Sequence, residues 1–206
     1  MALHPVDGRT MRDALALAPS APGGFGAVPC DDWLSVPEAE LAAMQAEALA
    51  LFCQTGAPVA RATASLALLH QLVITRAMVR SLGMPPAQAR AAMRADHALG
   101  YLFGLASGSA GPTAGPQEER RVAGTLMMLH DLAYGREGAE AITAGLLADG
   151  AARVGEAFAE GMLAAAADFS ALERWRRGAG GALPGGLVGG LGWSCWSGDG
   201  ADGLPH

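Results

Sequence analysis

The chain has 206 residues, a formal charge of −6 and 51% apolar residues. That is enough for one domain with a sizeable core, too apolar for a disordered chain, and too acidic for the basic face a nucleic-acid binder needs. It contains neither Lys nor Asn, only two Ile, and an abundance of Ala, Gly, Arg and Pro, the imprint of a GC-rich bacterial genome. The most apolar stretch, Leu66 to Leu82, is interrupted by His70, Gln71, Arg76 and Arg80, so no membrane insertion is expected. Arg9, Arg12 and Asp13 stand where a secretory signal keeps its apolar core, and a cytoplasmic chain is expected. Cys30, Cys53 and Cys195 match no ligand spacing and read as reduced thiols.

Residues 1–34 form an irregular arm broken by Pro19, Pro22, Gly23, Gly24, Gly26 and Pro29. Ser35 with Glu38 three residues on predicts a capping box. The first helix then runs to about Thr55, with Leu41, Met44, Ala48, Leu51 and Phe52 on one face. A second helix, Pro58 to Leu82, is apolar nearly all round and belongs mid-bundle, with Gly83 as its C-cap. A third is predicted from Pro86 to Ala106, where Gly100 and Gly104, with Gly108 at the start of the loop beyond, recur every four residues and invite close approach of a neighbouring backbone. Gln117–Tyr134 and Gly138–Asp168 follow, the latter open to bending or splitting at Gly145, Gly150 or Gly155. A last short helix is predicted over Ser170–Arg177. Residues 178–206 then form a Gly-rich tail, expected to be flexible or to dock through Trp193 and Trp196. The fold class is all-α, a bundle of five to six helices over 35–177.

Three histidines, His70, His97 and His130, fall inside these helices, and none shows the spacing that puts two ligands on one helical face. The run Leu126-Met-Met-Leu-His130-Asp131 resembles the centre of the HD-type metal-dependent phosphohydrolases. That resemblance implies a divalent metal held by His97, His130, Asp131 and either Asp149 or Asp168, and a metal-activated water.

The segments Ala98-Leu-Gly-Tyr-Leu-Phe-Gly-Leu-Ala-Ser-Gly-Ser-Ala-Gly111 and Ala165-Ala-Ala-Asp-Phe169-Ser-Ala-Leu-Glu-Arg-Trp175 are similar to the distal helix and last core helix of bacterial haem oxygenases. The resemblance implies haem, with Gly100 and Gly104 beneath the cofactor face. The chain departs from that pattern at two places. Only His4 lies in range of the family's proximal histidine, and Ala106-Ser107-Gly108 replaces its acidic-Gly-Ser element. Asp96-His97 followed by Leu99, Leu102 and Leu105, with His130 a helix later, is similar to helical chaperones that hold redox-enzyme precursors.

No catalytic motif stands complete in the chain, whereas two tryptophans in a Gly-rich tail invite packing on something else. The expectation is a non-catalytic interaction protein: an adaptor, assembly factor or chaperone. Its partner is expected to be another protein, with Trp193 and Trp196 making contact, and a homo-oligomer is compatible with it. The alternative is a haem- or metal-binding helical enzyme of either type, built on the histidines.

Overall fold

The computed structural model describes residues 32–54, 59–110, 115–149, 155–179 and 183–191. Among them lie seven helices and no strand: α1 (Glu38–Phe52), α2 (Val59–Ser81), α3 (Pro86–Met93), α4 (Asp96–Ala110), α5 (Pro116–Asp149), α6 (Glu156–Arg176) and the single turn α7 (Gly186–Gly190). Six of these are substantial, and the protein is an all-α bundle. The N-terminal arm before Asp32, Cys30 and Cys195, and Trp193 and Trp196 lie outside the described residues.

α2 runs through the middle. Leu66, Leu68, Leu69 and Leu72 are buried on its several faces, as its nearly continuous apolar sequence requires. By length and composition alone, Ala60–Ser81 matches a membrane-crossing helix despite its interruptions, and 67% of that apolar window is buried within the bundle. Gly83 ends the helix at φ 61°, and the Met84 amide closes back on the Val79 carbonyl at 3.0 Å. α1 packs on α2 through buried Leu41, Ala48 and Phe52.

The capping box does not form. Asp32 takes its place upstream, its Oδ1 accepting from the Leu34 and Ser35 amides and the Ser35 hydroxyl, each at 3.1 Å. The Asp32 carboxylate also receives Arg90 of α3. Burial works against its charge, but the Arg90 and Ser35 hydrogen bonds outweigh that and hold its pKa below the usual carboxylate value. Glu38 instead meets Arg80 of α2 at 2.5 Å on the surface.

The expected third helix is two helices. The chain breaks at Arg94 and Ala95, where the Tyr134 hydroxyl donates to the Met93 carbonyl at 2.6 Å. That carbonyl would otherwise serve the amide four residues on. α5 turns sharply at Gly135 (φ 68°, ψ 167°), a conformation open to glycine and little else. A straight helix would hold His130 and Thr143 about 20 Å apart; their side chains meet at 3.0 Å, so the two halves fold back on each other. Ser170–Arg177 continues the long helix α6 rather than forming its own element.

α4 and α6 are the most extensively packed pair, and the glycine row explains it. A Cβ at Gly100 would lie 2.0 Å from the Phe158 carbonyl oxygen; at Gly104, 2.7 Å from Ala165 Cβ; at Gly161 on the facing helix, 2.1 Å from the His97 carbonyl oxygen. Only hydrogens fit there, and the two backbones touch.

Candidate functional site

Two polar side chains are buried without exposure at the centre of otherwise apolar helices: Gln71 on α2 and Tyr101 on α4. Burying such groups is costly unless their hydrogen bonds are met. Both turn toward Asp168 on α6. The Tyr101 hydroxyl donates to Asp168 Oδ2 at 2.8 Å, and the Gln71 amide nitrogen donates to the Tyr101 oxygen and, at 3.4 Å, to the same carboxylate. Burial first, and then the Asp168 charge, raise the Tyr101 pKa well above its ordinary value, so the phenol stays a donor at every physiological pH.

What remains of this hub points outward as acceptors, and the chain's own tail takes them. Asp168 accepts the Gly185 amide at 3.1 Å and the Gly186 amide at 2.8 Å; Gln71 Oε1 accepts the Leu187 amide at 2.6 Å and the Val188 amide at 3.2 Å. These four consecutive amides lead into and begin α7, the groups a helix start leaves without partners. Leu187 fills the space beneath with no exposed surface. His97 closes the other side, its Nε2 lying 3.1 Å from the Gly186 carbonyl oxygen. A carbonyl can only accept, so Nε2 carries the proton. The segment fits because it is nearly bare backbone. A Cβ at Gly186 would come within 2.8 Å of Ala164 Cβ, and at Gly190 within 1.8 Å of His97 Nε2. Residues 183–191 of the expected flexible tail therefore form part of the bundle, seated among α2, α4 and α6.

Of the residues singled out from sequence, His97 and Asp168 meet on one residue, Gly186. His130 is elsewhere, fully buried at the fold-back of α5. Its Nδ1 faces the Thr143 hydroxyl at 3.0 Å, its ring lies 5.6 Å from that of Tyr134, and its Nε2 has no partner among the described residues. Burial pushes its pKa down to about 4, so the ring is neutral. Asp131 sits on the exposed side of the same helix, and the side chain of Asp149 lies outside the described residues.

Among the described residues no three His, Cys, Asp or Glu side chains come together to hold a metal ion. Gly100 and Gly104, the candidates for a haem face, are covered by the α6 backbone. Haem chemistry at Gly100 and Gly104 would require α6 to leave, so those residues do not fit that group. Among the described residues, no set of candidate ligands joins His130 in a metal-holding cluster.

His70 borders the hub. Its Nδ1 takes a 3.4 Å contact from the Gln45 amide nitrogen, and its Nε2 is buried with no partner among the described residues. Burial lowers its pKa, partly opposed by the charge of Asp168.

Gln71 and Tyr101 were not among the sequence candidates, although a signal was present. Gln71 interrupts the most apolar run of the chain, and Tyr101 is one of only two tyrosines. A buried amide or phenol has to be answered by a partner. Comparison of the chain with protein-family models, with curated proteins and with solved structures finds no match in any of the three.

Proposed function

We propose that the chain is a non-catalytic helical interaction protein, an adaptor, assembly factor or chaperone, whose groove among α2, α4 and α6 holds polypeptide. One observation carries the reading. The acceptors of the most elaborate polar cluster, Asp168 and Gln71, are spent on peptide amides 185–188 rather than aimed into an open cavity where a small substrate would sit. The histidines that an enzyme would need are dispersed. His97 serves the docked segment, and His130 is a neutral core residue.

The test combines ligand content with complex formation. Elemental mass spectrometry and an absorbance spectrum of gently purified full-length protein should show neither metal nor haem approaching stoichiometry. Affinity purification should recover a protein that, once purified itself, forms a complex of defined mass by light scattering. Stoichiometric metal or haem, lost in His130→Ala while the helical circular dichroism persists, would overturn the proposal in favour of an enzyme.

A further inference from the structure

The two halves of α5 are held unequally. The first gives the core Leu126, Leu129, Ala133 and Tyr134. The second, residues 136–149, gives it little. Of its described side chains only Ala139 and Thr143 are buried, Ile142 and Leu146 are half-buried, and the others are exposed. An alanine and a threonine remove far less apolar surface from water than leucines do, and thinly packed segments open at a smaller free energy than the whole fold. We infer that residues 136–149 are a flap, hinged at Gly135, that lifts off the bundle as a unit in acid, when the histidine beneath it takes a proton.

The joint suits a hinge. The helix is interrupted at Gly135, at φ 68° and ψ 167°, so the flap hangs on a residue whose dihedrals are free to change. What lies beneath the flap is polar. His130 meets Thr143 across the fold-back at 3.0 Å through Nδ1, and its buried Nε2 has no partner among the described residues. A dry imidazole with one nitrogen unanswered penalises the closed form, and water answers that nitrogen when the flap lifts. The edge of the fold-back is loaded with like charge. Burial raises the Asp131 pKa, Arg136 beside the hinge pulls it down, and Glu140 on the flap pushes it up again.

Acid selects the open form through His130. Burial is the sole cause of its lowered pKa, with no charged side chain of α2, α4 or either half of α5 contributing. The titratable group against it is Tyr134, whose phenol burial keeps protonated against the pull of Arg94. Covered, the ring titrates at about 4; uncovered, it titrates near 6.5. The closed form therefore refuses a proton that the open form accepts, and opening becomes about twentyfold more frequent between pH 7 and pH 5. Asp131 works in the opposite sense, because neutralising it removes its repulsion from Glu140.

The experiment is native-state amide exchange on the full-length chain in low urea at pH 7 and pH 5, corrected for intrinsic rates. Amides of residues 139–143 should exchange faster than those of Leu68 and Leu72 on α2. Their exchange should depend little on urea, as an opening that exposes little surface requires. Opening should rise about twentyfold from pH 7 to pH 5. His130→Gln should abolish that rise, and Asp131→Asn should leave it at least as large. Thr143→Val removes the hydroxyl from the fold-back and should open the flap several-fold more often at pH 7, a second measure if His130→Gln does not fold. Residues 139–143 that exchange only together with α2, a pH response that survives in His130→Gln, or unaltered opening in Thr143→Val would overturn the inference. The interaction reading does not depend on it.

Discussion

His130 makes the sharpest quantitative prediction, through pH. In the fold its ring is held near a pKa of about 4 by burial, against about 6.5 in an unfolded chain. Above pH 6.5 both states are neutral and the residue adds no pH dependence. Below it the unfolded chain binds a proton that the folded one refuses, and stability falls until the folded ring titrates too. Linkage puts the loss at about 1 kcal/mol by pH 5.5, about 2 kcal/mol by pH 5 and about 3 kcal/mol near pH 4. Against a typical total of about 5–15 kcal/mol this is a large fraction.

His70, also lowered by burial, has the same sign, so the effect must be isolated. Asp32, whose pKa is also lowered, makes stability fall with pH in the same direction, but its contribution is lost mainly below this window, as pH falls through the carboxylate range. The assay is urea unfolding of the wild type and His130→Gln from pH 7.5 to 4.5, reading the slope of stability with pH rather than its absolute value. The variant should lose about 2 kcal/mol less than the wild type between pH 7 and pH 5. Equal slopes, or a His130 ring proton that titrates near 6.5 by NMR, would refute the reasoning and place the ring in contact with water or an anion.

Gly161→Ala should cost about 3 kcal/mol, roughly 6–12 °C in melting temperature. Its new Cβ meets the backbone of His97 and Tyr101 at 2.1 and 2.7 Å, and neither can move without separating α4 from α6. Gly135→Ala should cost about 1–3 kcal/mol by chemical denaturation, because φ 68° with ψ 167° strains any residue with a Cβ. Tyr101→Phe removes a donor from the Asp168 carboxylate and leaves the Gln71 amide short of its acceptor. A loss of about 1–3 kcal/mol is expected from urea unfolding. Amide exchange at 185–188 should quicken at the same time, and unchanged exchange would show that the hub does not hold the tail.

The apolar periodicity of the sequence anticipated the helices well where burial follows the helical repeat. Leu41, Ala48 and Phe52 on α1, and Leu126, Leu129 and Ala133 on α5, face the core as their spacing requires. At Gly100 and Gly104 the glycine row meets the close backbone approach its spacing implied, and the partner is α6, whereas Gly108 faces the Phe169 ring instead. Boundaries failed where a tertiary contact decided them. At the break after Met93 the carbonyl receives the hydroxyl of Tyr134, forty-one residues away, a contact that no local pattern announces. The capping box failed for a local reason: the Ser35 amide and hydroxyl turn back to Asp32, three residues upstream, and the helix starts after Pro37 instead.

The groove illustrates the deeper limit. Gln71, Tyr101 and Asp168 are separated by thirty and sixty-seven positions, and no spacing rule links residues on three different helices. The same holds for the tail. Composition reads a Gly-rich segment as unable to bury enough surface to order itself. At 185–191 that is true of the segment alone and untrue of the segment in this groove. The bareness that denies it a core of its own lets its backbone come within hydrogen-bond reach of Asp168 and Gln71. A Gly-rich stretch bearing one aliphatic anchor, in a chain with an unanswered Gln inside its most apolar helix, is therefore a reason to look for docking rather than for disorder.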